Sequence, residues 1–197
     1  MKKFDTQEIN HLISYRRAVY PVSFSGEHID DAIIEQLLEN ANWAPTHALT
    51  EPWRFTVFSE SGLQKLANFQ ADLYKQFAMQ EGSYVESKHQ KLLDNPLLCS
   101  HVISIGLKRD PKGKVPEIEE VEAVACAVQN MWLTAAAYGI GCYWGSGGIT
   151  YRQEALSFFG LEPDDKLLGF LYLGIPKSDW PTGRRKPIAD KVRWVKE

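Results

Sequence analysis

Little in this sequence favours a disulfide framework, a membrane span or a nucleic-acid partner. Only three cysteines occur in 197 residues, Cys99, Cys126 and Cys142. Their number is odd, none has Cys-x-x-Cys spacing, and each lies in an apolar stretch. They read as reduced, buried small hydrophobes rather than as a disulfide or metal set. No apolar run approaches the roughly 20 residues needed to cross a bilayer. The N-terminal MKKFDTQEINHLISYRR places acidic and polar residues after its two lysines, where a signal peptide needs an apolar core. The expectation is therefore a cytoplasmic protein. Excess charge is lacking too: 22 Lys and Arg against 25 Asp and Glu leave a net charge of -3, which offers no general attraction to nucleic acid or to an anionic membrane. The five histidines (His11, His28, His47, His89 and His101) lack the i, i+4 pairing of helical metal sites, which argues against zinc chemistry.

Common catalytic and nucleotide motifs are missing as well. Gly139-Ile-Gly141 is followed by Cys142, Tyr143 and Trp144, so the third glycine of a dinucleotide fingerprint is absent, and the pair follows a helix rather than a first strand. There is no Walker-type Gly-Lys-Ser/Thr. Trp144-Gly-Ser-Gly147 has its serine directly between the glycines, so it is not a Gly-x-Ser-x-Gly elbow.

What is present is the balance of an ordinary globular chain, 44% hydrophobic and 24% charged, of a length that suits one domain over residues 1–197. Asp5 with Glu8 three positions on predicts an N-capped first helix that turns Ile9, Leu12 and Ile13 inward and ends near Arg16-Arg17. A second helix is expected from about Ile29, with Ile33, Leu37 and Ala41 on one face, broken at Pro45. Trp53, Phe55 and Val57 alternate with polar residues and predict a half-buried strand. Between Leu63 and Leu93 the pattern is helical but polar and uneven, suggesting mobile helices around a substrate mouth. Leu97–Leu107 reads as a central strand, residues 110–117 as a loop, and Leu167–Leu173 as a second buried strand. Ile118–Tyr138 is the most apolar long helix. It needs cover on most sides, which suggests a subunit interface. Glu117, Glu119 and Glu120 suit its positive N-terminal end. A short strand, Ile140–Trp144, runs into the turn Gly145-Ser-Gly-Gly148, and Thr150 with Gln153 has capping-box spacing for a further helix. Helices and strands mix without a strict βαβ repeat, so the class is α+β.

Four segments stand out: Ser14-Tyr-Arg-Arg-Ala-Val19, Ala44-Pro-Thr-His through Glu51-Pro-Trp-Arg-Phe55, Gly139-Ile-Gly through Trp144-Gly-Ser-Gly147, and the tail Gly183-Arg-Arg-Lys-Pro187. Each alone has a plain structural explanation: a helix C-terminus, a loop entering a strand, a tight turn, a solvated charge run. Together and in this order, with the late Leu173-Gly174-Ile175-Pro176, they resemble the nitroreductase family, in particular its minimal bacterial members.

That resemblance implies an α+β three-layer sandwich, with a central mixed or antiparallel sheet flanked by helices, in an intertwined homodimer holding FMN at the subunit interface. It implies that Arg16, Arg17 and the backbone at Ala18 hold the FMN phosphate and ribityl chain, and that Arg185 with Arg184 reaches the phosphate from the tail. By the same resemblance Trp144, Gly145 and Ser146 border the isoalloxazine ring, and Trp43, Thr46 and His47 close the site from the partner subunit. NAD(P)H then serves as electron donor, and a nitroaromatic or quinone takes the electrons in a ping-pong cycle. No catalytic side chain and no metal ligand is implied. Ala18 stands where family members carry serine, Leu49 where many carry asparagine, Glu51 where glutamine is common, and Tyr20 at a position often basic. Ala18, Leu49 and Glu51 keep open a flavin-binding or interaction dimer without turnover, while Tyr20 in place of a cation implies a lowered flavin potential.

Overall fold

The computed structural model describes residues 3–196. Six α-helices, α1 (Thr6–Tyr15), α2 (Asp31–Asn42), α3 (Ser61–Gln80), α4 (Glu86–Leu97), α5 (Glu117–Ala137) and the short α6 (Gln153–Leu156), surround four strands. The strands are β1 (Trp53–Ser59), β2 (His101–Leu107), β3 (Gly141–Gly145) and β4 (Lys166–Gly174). They form one sheet in the order β1-β2-β4-β3, every pair antiparallel. All seven residues of β2 are buried, as a strand covered on both faces requires. Side chains alternate across the sheet. Ile103, Ile105 and Leu107 meet Leu37 of α2 and Val124 and Met131 of α5, while Val102 packs with Leu66 and Leu73 of α3 on the opposite face. The result is the expected three-layer α+β arrangement, its named strands all antiparallel rather than mixed. Among the described residues no helix is long and apolar enough to cross a membrane.

One irregularity positions the site. In β4, Leu167 and Phe170 face the same layer although three residues apart, because the ladder shifts register opposite Ile105 and Gly106. Gly169 absorbs the shift with φ +125°, as a bulge in a strand often needs. A Cβ at Gly169 would overlap the Gly145 carbonyl oxygen and lie 2.8 Å from Trp144 Nε1.

Several local expectations change. Asp5 does cap α1, accepting from Gln7 and Glu8 N–H, but the apolar stripe of α1 is not turned inward: Ile9 and Ile13 are 44% and 53% exposed and Leu12 is only half-buried. Helix α1 touches α5, but Ile9 and Ile13 are left largely uncovered by the described residues. Helix α2 starts at Asp31, capped by Asp30. Leu97 ends α4, so β2 begins later than its apolar run suggested. In β1 the alternation slips, with Phe58 buried and Val57 exposed. Helix α3 buries a regular stripe of Leu63, Leu66, Ala67, Gln70, Ala71 and Tyr74, so it is less uneven than its composition implied. The capping box of Thr150 does not form. Its hydroxyl donates back to the Gly147 carbonyl and Arg152 caps α6 without a side-chain bond. Cys126 is exposed on α5, unlike Cys99 and Cys142. Glu120 is buried against Arg109 rather than facing solvent at the helix end, and it accepts from Asp110 N–H at 2.7 Å.

His101 opens β2 while buried. Its Nε2 lies 3.0 Å from Asp31 Oδ1 and its Nδ1 2.9 Å from Ser100 Oγ, which accepts the Ile29 N–H at 2.7 Å. Burial holds its pKa below the ordinary histidine value, outweighing the raising effect of Asp31. The fold therefore favours neutral imidazole. That contribution is complete above the unfolded pKa of about 6.5 and is lost as pH falls through it, since the unfolded chain then binds the extra proton. Two measurements check these points. Urea midpoints in chelator should fall as pH drops below about 6.5, and the slope should flatten in His101→Gln. Gly169→Ala should cost about 2 kcal/mol or more, read as a lower urea midpoint, from combined φ strain and overlap with Gly145.

Candidate active site

After α1 the chain does not turn away from the sheet. Val19 N–H donates to the Cys142 carbonyl at 2.8 Å, and Ala18 bridges Cys142 in parallel, so this segment extends the sheet beyond β3. Trp132 on α5 fixes it from below. The indole N–H donates to the Arg17 carbonyl at 2.9 Å, and the Arg16 guanidinium carbon sits 4.5 Å from the Trp132 ring centroid.

The tail arrives at the same place from the other end of the chain. Trp180 stacks on Tyr15 with centroids 4.8 Å apart and planes within 5°, and its indole N–H donates to the Tyr15 carbonyl at 2.7 Å. Arg17 ties the two together, donating from Nε to Pro181 O at 3.1 Å and from Nη1 to the carbonyls of Ser14 and Arg16. Gly183 packs against the Arg17 guanidinium, which would have to shift to admit a side chain there. Arg17 thus satisfies the end of α1, as the plain reading held, and also straps down the tail. A cleft of about 420 Å³ opens between Ile13, Ser14, Arg17, Gly183, Arg184 and Arg185. Among the described residues no carboxylate pairs with Arg16, Arg17, Arg184 or Arg185. Arg16 is held below its ordinary pKa first by burial and then by the neighbouring charges of Arg185 and Arg17. Four guanidiniums gathered without an anion form a site suited to a phosphate dianion.

From its pairing with Ala18 at Cys142, β3 runs on into the glycine turn. Trp144 points toward α5, its indole N–H donating to the Leu168 carbonyl at 3.1 Å, and with Ser146 it lines a groove of about 440 Å³ bounded by Val121, Trp132 and Tyr151. Gly145 lies on the opposite side. With Gly147 and Gly148 it borders a larger cavity of about 580 Å³ under α3 and α4. Tyr74, Phe77, Tyr143 and Tyr172 make its walls aromatic, Lys88 and Lys91 add positive charge at its rim, and Arg152 lies over the Phe77 ring paired with Glu81 at 2.7 Å. Exposed Tyr20 packs on Tyr143 with centroids 4.6 Å apart. The helices between Leu63 and Leu93 do border a cavity, as expected.

Trp43, Thr46 and His47 lie apart from the arginine cleft and from the glycine turn. Trp43 is 79% exposed, its indole N–H donating to Glu39. Thr46 accepts the Glu51 N–H, and His47 Nδ1 lies 2.5 Å from Glu119 Oε2 at the start of α5. Three of the four positive-φ non-glycine residues among those described, Ala48, Leu49 and Glu51, fall in this loop. Strain of that kind, about 1–3 kcal/mol per residue, persists where surroundings fix it and clusters at functional sites.

The sequence profile of the nitroreductase family matches residues 13–175. The chain belongs to the nitroreductase family. YfhC of Bacillus subtilis, assigned by name to the NAD(P)H nitroreductases, is 29% identical over 184 residues, covering 93% of this chain and 92% of its own. A nitroreductase-like protein from Bacillus cereus superposes over the whole of both chains with a TM-score of 0.81 at 26% identity. An FMN-dependent nitroreductase, NfnB of Mycobacterium smegmatis in complex with NADPH, shares the fold with a TM-score of 0.71 at 17% identity, covering 96% of this chain and 99% of its own.

In this nitroreductase the cavity walls escaped motif reasoning. Tyr74 with Phe77, and Lys88 with Lys91, sit three apart on α3 and α4, so each pair shares a helix face. That spacing was the available clue. Removing the Tyr15 stack by Trp180→Ala should leave the core intact but free the tail. Limited proteolysis should then cut within residues 181–196 faster than in the parent protein, at an unchanged thermal midpoint.

Proposed function

We propose that this nitroreductase is an FMN-dependent oxidoreductase, one domain over residues 1–197, that takes electrons from NAD(P)H and delivers them to a nitroaromatic or quinone-like acceptor, the two using one cavity in turn. The observation that carries the reading is the convergence of Arg17, Arg184 and Arg185 on one carboxylate-free cleft, with the segment after Arg17 paired to β3, the strand that leads into the glycine turn bordering a large aromatic cavity. These residues fit FMN. Arg184 and Arg185, with the remaining N–H groups of Arg17, would hold its phosphate. Arg16 would add charge from beneath, and the Ala18 backbone would border the ribityl chain. FMN, when bound, supplies the hydride acceptance and onward electron delivery that no protein side chain performs.

The protein's own part is binding, orientation and exclusion of water. Trp144, Gly145 and Ser146 would flank the ring system, where Gly145 lets backbone come close. Tyr74, Phe77, Tyr143 and Tyr172 give planar ligands flat apolar walls, and Lys88 and Lys91 favour donors and acceptors that carry negative charge. Trp43, Thr46 and His47 would meet this site from a second copy in a homodimer. The uncovered apolar residues Ile9 and Ile13 of α1, Ile118 of α5, and Trp43 and Leu49 of the strained loop support that assembly.

The test is an absorbance spectrum of protein purified with added FMN, followed by anaerobic NADH and NADPH. Flavin bands should persist through gel filtration at dimer size and bleach with at least one nucleotide. Arg185→Ala should weaken FMN binding about 10- to 100-fold, as loss of a charged hydrogen bond does. No retained flavin would overturn the reading. Retained flavin that neither nucleotide bleaches would favour the alternative, a flavin-binding dimer without turnover.

A further inference from the structure

Two of the five histidines, separate in sequence, meet an aspartate away from the arginine cleft and from both cavities. His28 lies in the loop before α2, Asp31 is the first residue of α2, and His101 opens β2. Asp31 Oδ1 is 3.0 Å from His101 Nε2 and 3.7 Å from His28 Nε2. One ligand atom from each of the three lies within 4.8 Å of the others. A four-coordinate zinc ion with bonds of about 2.0–2.1 Å holds its ligand atoms roughly 3.3 Å apart. Only small closing movements of His28 and Asp31, both exposed, separate the triad from that spacing.

Three further features suit a cation. His101 is 1% exposed, so one ligand is held rigidly by the sheet while the other two leave an open entry path. Its second ring nitrogen already has a partner. With an ion on Nε2 the imidazole proton moves to Nδ1, which faces Ser100 Oγ at 2.9 Å. That hydroxyl oxygen has two acceptor lone pairs, one taken by Ile29 N–H, so it can accept the Nδ1–H as well. The local charge is also favourable. From Ala18 to Trp53 there is no Lys or Arg, whereas Glu27, Asp30, Asp31, Glu35 and Glu39 lie within this stretch. These carboxylates offset the positive N-terminal end of α2.

We propose that His28, Asp31 and His101 bind one divalent transition-metal ion of the zinc class, water completing its shell. The ion joins the loop before α2 to the first residue of the central strand. It lies outside the proposed FMN site, so its role is to stabilise the fold, and it stands or falls independently of that site.

The experiment is a competition titration of Zn²⁺ against a chromogenic chelating indicator, using the full chain with its flavin. A Cys126→Ser background removes the exposed thiol as a rival ligand. One equivalent should bind, and His28→Gln and Asp31→Asn should each weaken it roughly tenfold or more. Zinc should raise the thermal midpoint of the parent and not that of His28→Gln, by linkage of binding to folding. His28 is exposed, so its variant should melt like the parent in chelator. Failure to bind zinc, or equal binding by the parent and His28→Gln, would overturn the proposal.

Discussion

Val19 N–H donates to the Cys142 carbonyl, and Trp132 donates to the carbonyl of Arg17 two residues earlier. These two bonds hold the exit of α1 against the edge of β3 and against α5 together. If the segment were free, Arg16 and Arg17 would be ordinary surface cations at a helix end, of little consequence to anything beyond their own turn. Held there, they stand beside the start of β3, and Arg17 becomes the post to which the tail is tied. The Tyr15–Trp180 stack, the cleft lined by Arg184 and Arg185, and the groove under Trp144 are all arranged around that one segment.

The sheet supplies the counterpart on the other side. β3 places Trp144 and Gly145 on opposite faces, as successive strand residues must be, and Gly169 of β4, lacking a side chain, makes room for the Gly145 carbonyl. Trp144 Nε1 is then satisfied by the Leu168 carbonyl, and its half-buried ring packs against the core while lining the groove with Ser146. Sheet irregularity and indole hydrogen bond meet at the same place, since a side chain at Gly169 would overlap both the Gly145 carbonyl and Trp144 Nε1.

Much of this was legible in the chain. The four motifs located the arginine pair, the loop, the turn and the basic tail, and periodicity found every major strand and α5. What it could not show depends on contacts between distant residues. The stripe Ile9, Leu12 and Ile13 reads as a core face because hydrophobic period says only that a face is to be covered, not by which chain. Cys126 reads as buried for the same reason, since α5 is apolar on more sides than the protomer covers. Glu120 looked like a partner of the helix end, but Arg109, eleven residues earlier across a loop, claims it. His28 and His101 share no helical spacing, and their meeting is made by a strand beginning next to a helix end. The aromatic walls of the larger cavity carry no motif at all.

The strap between Tyr15 and Trp180 has a consequence for how an anion would be released. One wall of the arginine cleft follows α1 and the other comes from residues 183–185, so the two walls belong to segments far apart in sequence. A motion that unstacks Trp180 from Tyr15 would carry Arg184 and Arg185 away from Arg17 while the sheet stays whole. An anion held by both walls then acts as a clasp: its binding tightens the hold on the tail, and loosening of the tail weakens the hold on the anion.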